Sequence, residues 1–360
     1  MTDRQARLNE ALLASGIDAI LLTKRVNQMY IEGFPGEDCY MIASSRGNFL
    51  IADSRYTELG ASTCRSAEIV PHRFPHPPLG DVIARVARER GFSRVGFERD
   101  DMTWGEHEDI SGKLSEYGVG MVPVSSLVEG IRAKKDDFEI EKISNACRIA
   151  DAALEDLTRC IKPGASELEI KTELDYRLKR HGAEDVSFDT MVLFGARASQ
   201  PHANSRRDVE LRVGDFILID YGAEREGYRS DTTRTFVCGR ASERQRNVYE
   251  TVLKSQIESL AMVAPGANGR DINERARSII RDAGYRTFEH GIGHGIGLEI
   301  HEEPSLRQNS DAALEPGMVI TIEPGSYEPG WGGIRIEDTV LVTESGHRVL
   351  TSFPKELIVL

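Results

Sequence analysis

The sequence predicts an α+β protein in which a small α/β domain precedes a larger domain made of two similar halves. Three observations predict this fold class. The chain has 360 residues, a length typical of two domains. Helical and strand patterns alternate over residues 1–128, as in a compact α/β domain. Two short motifs recur roughly 100 residues apart within residues 129–360, which indicates a duplication.

The first domain is predicted from short apolar segments separated by polar turns. An amphipathic start that contains Leu8 and Leu12 predicts a first helix. Residues 103–106, TWGE, have the capping-box pattern and predict the start of a later helix. The other predicted elements are the strands IDAILLT, CYMIAS, NFLIAD and RVGFE, the helix LGDVIARVARER, a helix that begins near Arg55, and the closing segment VGMVPVS.

A change of pattern near residue 128 predicts the domain boundary. The segment SSLVEGIRAKKDD is polar and is expected to join the two domains. After it, apolar residues recur every three or four positions from Ile140 to Ile161, which predicts one long helix. This helix is expected to end at the sequence KPG, since proline and glycine disfavour helix.

The second domain contains an internal repeat. The matching segments are PGASELEI at 163–170 with PGANGRDI at 265–272, and GDFILIDYG at 214–222 with GMVITIEPG at 317–325. The offsets are 102 and 103, so Asp220 and Glu323 occupy equivalent positions. Asp231 and Glu337 follow them at an offset of 106. We therefore expect each half to contain two helices followed by strands, with two carboxylates on paired strands.

Five potential metal ligands stand in order along the repeat, at spacings of 11, 63, 29 and 14. They are Asp220, Asp231, His294, Glu323 and Glu337. Four carboxylates buried without partners would be very costly, whereas around divalent cations they are satisfied. An oxygen-rich set with one imidazole suits Mn, Co, Zn or Fe(II). The set predicts a hydrolase that activates water between two metal ions.

Five motifs in this region resemble those of the pita-bread metallopeptidases, specifically the Xaa-Pro branch of prolidases and aminopeptidases P. The motifs are FDTMVLFGARASQPHA, DYGAEREGYRSDTTRTF, GHGIGLEIHEEP, LEPGMVITIEPGSY and GGIRIED. The resemblance implies a pita-bread catalytic domain of two pseudo-symmetric α/β halves, preceded by a creatinase/prolidase-type domain. It also implies hydrolysis of the peptide bond that precedes proline.

The resemblance also implies how the ligands divide between two divalent ions. Asp231 and Glu337 would bridge both metals, Asp220 would complete one, and His294 with Glu323 would complete the other. We expect Mn, with Co or Zn as alternatives that the same ligands would also bind. A hydroxide that bridges the two metals would attack the scissile carbonyl, with Glu323 as ligand and general base.

Four further side chains are candidates for supporting roles. His202 and His301 stand at an offset of 99 and are candidate donors to the developing oxyanion, against the alternative of surface histidines. His290 is expected to line the substrate or to support the ligands, with core packing as the alternative. Arg335 is expected to contact a bridging carboxylate or the substrate, with a plain ion pair on the strand as the alternative. For the glycine-rich segment GIGHGIG, a phosphate loop is disfavoured because no Lys-Ser/Thr follows it.

Several functional alternatives stay open at this stage. The substrate is a dipeptide for an Xaa-Pro dipeptidase and a longer peptide for an aminopeptidase P. The segment VNQMYIEGFPGEDCY departs from the family's usual wording, so it leaves the preferred peptide length undecided. Metal-free amidinohydrolases and non-catalytic peptide-binding relatives are disfavoured by the complete ligand set. Tyr327, Trp331 and Phe188 could form walls for the proline ring or pack in the core.

Composition limits the binding partners and the cellular compartment that we expect for the protein. A net charge of −13 argues against a nucleic-acid surface, which requires a basic face. No apolar run reaches the roughly 18 residues of a membrane span, and the polar N-terminus does not resemble a signal peptide. Five scattered cysteines indicate free thiols and a cytoplasmic location. The resemblance implies a homodimer formed through the N-terminal domain, in which Arg55 could reach a partner's site.

Overall fold

The computed structural model describes residues 3–72 and 77–360, which form two compact units. The first unit ends at Arg132 and the second runs from Ala133 to Leu360. Residues 73–76, which precede the predicted helix LGDVIARVARER in the sequence, lie outside the described residues.

The first unit is a six-stranded sheet with helices. Its helices are α1 Asp3–Ala14, α2 Arg25–Glu32, α3 Thr57–Thr63, α4 Leu79–Glu89, α5 Trp104–Ser115 and α6 Leu127–Arg132. Its strands are β1 Ala19–Leu22, β2 Tyr40–Ser44, β3 Phe49–Ala52, β4 Glu68–Pro71, β5 Arg94–Glu98 and β6 Gly120–Val124. The strand order is β4-β3-β2-β1-β5-β6, antiparallel at β3-β2-β1 and parallel elsewhere. The predicted capping box at Thr103 is present at the start of α5.

Three elements of this unit were not predicted from the sequence. They are α2, β4 and α6. Helix α2 buries polar side chains, among them Asn27 and Gln28, so its buried face carries little apolar periodicity. Helix α6 lies within the segment predicted to be a polar joint, yet it buries Val128 and Ile131. The boundary placed near residue 128 therefore falls inside a helix of the first unit.

The second unit contains two successive sets of helices and strands. Its first set comprises α7 Asp137–Thr158, α8 Glu167–Arg180, β7 Asp185–Val186, β8 Met191–Phe194, β9 Phe216–Tyr221, β10 Ala223–Arg225, β11 Tyr228–Arg229 and β12 Thr232–Val237. Its second set comprises α9 Glu243–Ala261, α10 Gly269–Asp282, β13 Gly293–Gly295, β14 Glu302–Leu306, β15 Val319–Ile322, β16 Gly325–Glu328, β17 Gly332–Arg335, β18 Asp338–Thr343 and β19 Gly346–Val349.

The two sets reproduce the repeat found in the sequence. Helices α8 and α10 correspond end to end at an offset of 102, and each is preceded by a side-chain N-cap, Ser166 or Asn268. Strands β9 and β15 begin at an offset of 103, and each pairs antiparallel with the next long strand, β12 or β18. The predicted duplication is thus confirmed as two pseudo-symmetric α/β halves.

Strand β9 positions its acid by being buried on both faces. Ile217 and Ile219 pack in the core with α7 and α8, whereas Phe216 and Leu218 pack in a second core to which both halves contribute. Since strand side chains alternate between faces, Asp220 emerges on the face of Phe216 and Leu218. The chain thus directs this carboxylate toward the second half of the unit.

Candidate active site

The acids of the two halves meet where β12 packs beside β17 and β18. Asp220 lies in β9, whereas Asp231 directly precedes β12, Glu323 directly follows β15, and Glu337 lies between β17 and β18. The sequence placed these acids on paired strands; three of the four instead flank strand ends, where the chain leaves the ladder. A backbone hydrogen bond of 3.1 Å from Glu337 to the carbonyl of Thr233 joins the halves at this point.

A compact group of possible ligand atoms forms at this junction. Asp231, His294 and Glu337 each offer one ligand atom, and these atoms lie within 4.8 Å of one another. Nε2 of His294 is 3.5 Å from Oδ2 of Asp231 and 3.6 Å from Oε1 of Glu323. The structure therefore brings together residues that are 14 to 106 positions apart in the chain.

Glycines on both sides of His294 allow this approach. A Cβ atom added to Gly293 would lie 1.9 Å from the carbonyl oxygen of Thr321, and one added to Gly295 would lie 2.2 Å from that of Glu303. Only glycine fits such close backbone contacts. The sequence GHG is thus required by the packing of β13 between β14 and β15.

Hydrogen bonding selects the ring nitrogen that His294 presents to the acids. Its Nδ1 lies 3.0 Å from the carbonyl oxygen of Gly295. Because a carbonyl only accepts, Nδ1 carries the proton and Nε2 keeps its lone pair. That lone pair faces Asp231 and Glu323, as expected for a ligand oriented by a second hydrogen bond.

Arg335 connects three parts of the site. Its guanidinium is buried, and it donates from Nε to Oγ1 of Thr233 at 2.9 Å, from Nη1 to the hydroxyl of Tyr327 at 2.9 Å, and from Nη2 to Oδ2 of Asp220 at 2.5 Å. Burial lowers the pKa of Arg335, but the neighbouring Tyr327 and Asp220 outweigh it, so the pKa is held well above its ordinary value. Arg335 therefore stays charged.

Thr233 is a supporting residue that the sequence analysis missed. Its Oγ1 accepts from Nε of Arg335 and donates to Oε2 of Glu337 at 2.6 Å. Since arginine can only donate, the hydroxyl proton of Thr233 must point to Glu337. The hydroxyl of Thr233 therefore holds Oε2 of Glu337 and does not bond to Oε1. The only sequence signal was a threonine two residues after Asp231.

His290 belongs to a hydrogen-bonded chain that starts at Arg335. The hydroxyl of Tyr327 accepts from Arg335 and lies 3.0 Å from Nε2 of His290, whose Nδ1 is 2.7 Å from the carbonyl of Gly291. Arg335 therefore donates to the hydroxyl of Tyr327, and that hydroxyl donates to Nε2 of a neutral His290. Burial lowers the pKa of His290, which agrees with this neutral state.

The two remaining histidines lie at the exposed side of the cluster. The ring of His301 is 4.4 Å from that of His294, measured between centroids. His202 is exposed, and its charge would lower the pKa of both His290 and His301. Burial lowers the pKa of His301, and a charge on His294 would lower it further. His290 thus lies beside Glu323 and His301 beside His294, and His202 is close enough for its charge to act on both rings.

Of the three aromatic residues considered as walls for the proline ring, only one has contacts with the site residues in the structure described for residues 3–72 and 77–360. Tyr327 lies in the site through its bonds to Arg335 and His290. Trp331 instead packs edge-to-face on Phe216 at 5.0 Å and beneath the Arg244 guanidinium at 4.2 Å. Phe188 is half-buried, and no ring contact within the described residues connects it to the histidines.

The charge state of the acids fits divalent cations. Burial, together with the charges of Asp220 and Glu323, raises the pKa of Asp231 well above its ordinary value. Burial raises the pKa of Glu337 in the same way, with Asp231 as the next cause. Within the described residues, Oδ1 of Asp220 and Oδ1 of Asp231 are buried without a hydrogen-bond partner. Divalent cations would satisfy both the excess negative charge and the unpaired oxygens.

Comparisons with known proteins agree with the fold. The model of metallopeptidase family M24 matches residues 141–344, and that of the creatinase/prolidase N-terminal domain matches residues 4–134. An Xaa-Pro dipeptidase from Pyrococcus furiosus is 42% identical over 362 residues, covering 99% of this chain and 100% of the relative.

Two solved structures are similar over nearly their whole length. An Xaa-Pro dipeptidase from Bacillus anthracis has a TM-score of 0.94 at 38% identity, covering 99% of each chain. An X-Pro aminopeptidase from Thermotoga maritima has a TM-score of 0.91 at 33% identity, covering 99% of this chain and 100% of the other.

The duplicated fold and the acid cluster define a metallopeptidase. The chain belongs to metallopeptidase family M24, with a creatinase/prolidase-type N-terminal domain. The resemblance to the pita-bread enzymes and the predicted fold are thereby confirmed, and family membership implies divalent metal ions. None of the helices in the described parts of the chain combines the length and apolar character needed to cross a bilayer.

Proposed function

We propose that the protein is a dinuclear metallopeptidase that hydrolyses the peptide bond preceding proline in Xaa-Pro dipeptides. The observation that carries this proposal is the meeting of ligand atoms from Asp231, His294 and Glu337 beside Glu323 and Asp220. Two of these acids have a buried oxygen that the described residues leave unpaired. Such a cluster is stable only when cations or protons neutralise it.

The proposed ligands are the five residues of this cluster. Asp231 and Glu337, the two most buried acids, would bridge both ions. Asp220 would complete one ion, and His294 with Glu323 the other. When bound, the two cations would polarise the scissile carbonyl and lower the pKa of water, so that a nucleophile forms near neutral pH.

Glu323 is the proposed general base. Its carboxylate is less buried than that of Glu337, and it lies within 3.6 Å of His294 and 3.8 Å of His290. It would accept a proton from the attacking water and return it to the proline nitrogen as the carbon–nitrogen bond breaks. The departing nitrogen needs this proton because the products are a carboxylate and a secondary amine.

The histidines at the exposed side are assigned to the substrate. His202 and His301 would donate hydrogen bonds to the oxyanion that develops on the scissile carbonyl oxygen. His290 would line the substrate, and Arg335 would hold Asp220 and, through Thr233, Glu337 in a fixed orientation.

Selection of proline is proposed from the relatives and from the chemistry of the bond. The matched relative from Pyrococcus furiosus is an Xaa-Pro dipeptidase, and so is the matched structure from Bacillus anthracis. A proline nitrogen in a peptide bond carries no hydrogen, so an enzyme must recognise the ring and not an N–H donor.

Removal of the first residue from longer Xaa-Pro peptides is the second candidate function. The similarity to an X-Pro aminopeptidase from Thermotoga maritima favours it. Both candidate functions cleave the bond before proline at the same acid cluster. They differ only in whether the site has room for residues that follow proline.

One assay distinguishes these functions. Protein freed of metal by chelation would be supplied separately with Mn, Co or Zn and given Ala-Pro, Ala-Pro-Ala-Ala and, as a control, Ala-Ala. We expect fastest hydrolysis of Ala-Pro with Mn and little hydrolysis of Ala-Ala. Faster cleavage of the tetrapeptide would favour the aminopeptidase. Uptake of two metals without any cleavage would favour a non-catalytic peptide-binding relative and contradict the proposal.

We also propose a homodimer formed mainly through the N-terminal domain. The two most exposed large apolar side chains in the described parts of the chain are Leu13 at 83% and Trp104 at 72%, and both lie in the first unit. A contact between two copies through the first unit would bury both side chains. Dimers of twofold symmetry are also the commonest oligomers.

A further inference from the structure

Glu167 is a fully buried acid outside the metal cluster. It occupies the first position of α8, and its side chain has 0% exposure. A buried carboxylate is costly unless its oxygens accept hydrogen bonds. Oε1 accepts from the backbone N–H of Phe194 at 2.9 Å, and Oε2 accepts from that of Arg206 at 2.9 Å. Nε of Arg197 donates to the same carboxylate at 3.0 Å.

These two backbone amides mark the ends of the segment that carries His202. One carboxylate therefore closes the loop between Phe194 and Arg206. Within the loop, Arg197 also donates from Nη2 to the carbonyl of Asn204 at 2.6 Å. We call this arrangement of Glu167, Phe194, Arg197, Asn204 and Arg206 the loop clamp.

His202 depends on the loop for its position. Its side chain is exposed, and it makes no hydrogen bond to any residue in the described ranges 3–72 and 77–360. A neighbouring turn bond, from Ala203 N–H to the carbonyl of Gln200 at 3.1 Å, orders only the tip. Since no side-chain partner holds the imidazole, the loop backbone must hold it, and ordering that backbone is costly without fixed ends.

The second half of the fold does without the loop clamp. The position equivalent to Glu167 at the offset of 102 is Gly269, where an added Cβ would lie 3.1 Å from Leu306. Next to His301, a buried ion pair of 3.0 Å joins Lys135 to Glu302, the residue that follows the histidine. A helix of the same length therefore forms in both halves, and the acid is present only in the half that carries His202.

We propose that Glu167 is a positioning residue for His202: by closing the loop at both ends it places the imidazole beside the acid cluster. This role rests on the proposed function, in which His202 donates to the oxyanion. Glu167 does not touch the reacting atoms and acts only through the loop.

The first test measures the loop without any turnover. Glu167→Gln keeps the shape of the side chain but replaces one carboxylate oxygen with an amide nitrogen. That nitrogen cannot accept a hydrogen bond, so one of the two backbone N–H groups loses its acceptor. We expect faster amide hydrogen exchange within residues 194–206 and unchanged exchange in α9. Arg206→Ala is the matched control, because only the backbone of Arg206 joins the loop clamp while its side chain bonds Asp208. Unchanged exchange in Glu167→Gln, or equal acceleration in the control, would overturn the proposal.

The second test asks whether the effect passes through His202. We expect Glu167→Gln to lower kcat on Ala-Pro by about 10²-fold, the cost of a displacement near 1 Å, with KM and metal content unchanged. In a His202→Ala background the same change should cost nothing further, because the group it positions is gone. Losses that multiply in the double variant, or a parallel loss of metal, would identify a merely structural role.

A further variant covers the case in which Glu167→Gln does not fold. Arg197→Met keeps both amide bonds to Glu167 and removes only the guanidinium that connects them to Asn204. We expect a smaller loss of kcat, again absent in the His202→Ala background. An additive loss would overturn the proposal. Failure of the wild-type protein to cleave any Xaa-Pro peptide would instead refute the proposed function, while hydrogen exchange would still decide whether Glu167 closes the loop.

Discussion

Arg335 donates from Nη2 to Oδ2 of Asp220, and the other oxygen of that carboxylate is buried without a hydrogen-bond partner among the described residues. Arg335 comes from the second half of the catalytic domain and Asp220 from the first. The contact therefore fixes one oxygen of Asp220 across the junction, and the other is the oxygen proposed to hold a metal ion. The two residues are 115 positions apart in the chain.

Replacing Arg335 should loosen the metal site without removing a ligand. We expect Arg335→Met to weaken binding of the more weakly held metal by about 10- to 100-fold, as for other residues that orient ligands. Calorimetric titration of Mn into chelated protein would measure this. Arg244→Met is the control, since Arg244 bonds exposed Glu328 and packs on Trp331. Equal affinities in wild type and Arg335→Met would refute the orienting role.

Removing a proposed bridging ligand should disperse both metals. We expect wild-type protein prepared with excess Mn to approach two equivalents by elemental analysis. Asp231→Ala and Glu337→Ala should lose metal and essentially all activity while keeping their far-ultraviolet circular dichroism, because a bridging carboxylate holds both ions. Turnover at the wild-type rate by either variant would contradict the bridging assignment.

Loss of either exposed histidine should affect turnover and not metal binding. We expect His202→Ala and His301→Ala to retain two equivalents of metal and to lose about 10²–10³ in kcat, the usual effect of removing an oxyanion donor. Steady-state kinetics and metal analysis of the same samples would check this. Reduced metal occupancy in either variant would make that histidine a ligand instead.

The proposed dimer predicts a sedimentation result. We expect two copies per particle at micromolar concentration, and a shift toward monomer in a Leu13→Ser, Trp104→Ser double variant, because both side chains are exposed in the isolated chain. Exposed Ile257→Ser in the catalytic domain is the control. A fully active wild-type monomer would refute the dimer.

Asp151 should contribute a pH dependence to stability that is separate from the metals. Burial raises its pKa, although Oδ2 accepts two hydrogen bonds from Ser352. A raised folded-state pKa gives stability that is present below the ordinary pKa and lost as pH rises through the folded value. The unfolding free energy of wild type minus that of Asp151→Asn should therefore fall with rising pH across this interval. Chemical denaturation at matched metal concentration would measure it, and a constant difference would refute the shift.

The sequence predicted the parts of this protein that follow from local pattern. The repeat around Asp220 and Glu323 is visible because each acid ends an apolar strand segment, and a strand leaves that pattern wherever it occurs. The capping box at Thr103 was equally readable. Helix α2 was not, because Asn27 and Gln28 are buried through bonds to other segments. Their burial is decided by partners that no local pattern reveals.

By itself the sequence determined the order of the domains and the duplication of the second one, and it predicted an oxygen-rich set of candidate ligands with one imidazole. Only the tertiary structure decided that Thr233 joins Arg335 to Glu337, which ring nitrogen His294 presents, and that Glu167 closes the loop of His202. The physical reason is the range of the interactions. Periodicity and capping act over a few residues, whereas the hydrogen bonds of Thr233 and Glu167 join segments that only folding brings within 3 Å of one another, as Thr233 and Glu337 are at 2.6 Å. His294 likewise meets Asp231 and Glu323, from other parts of the chain, only in the folded protein.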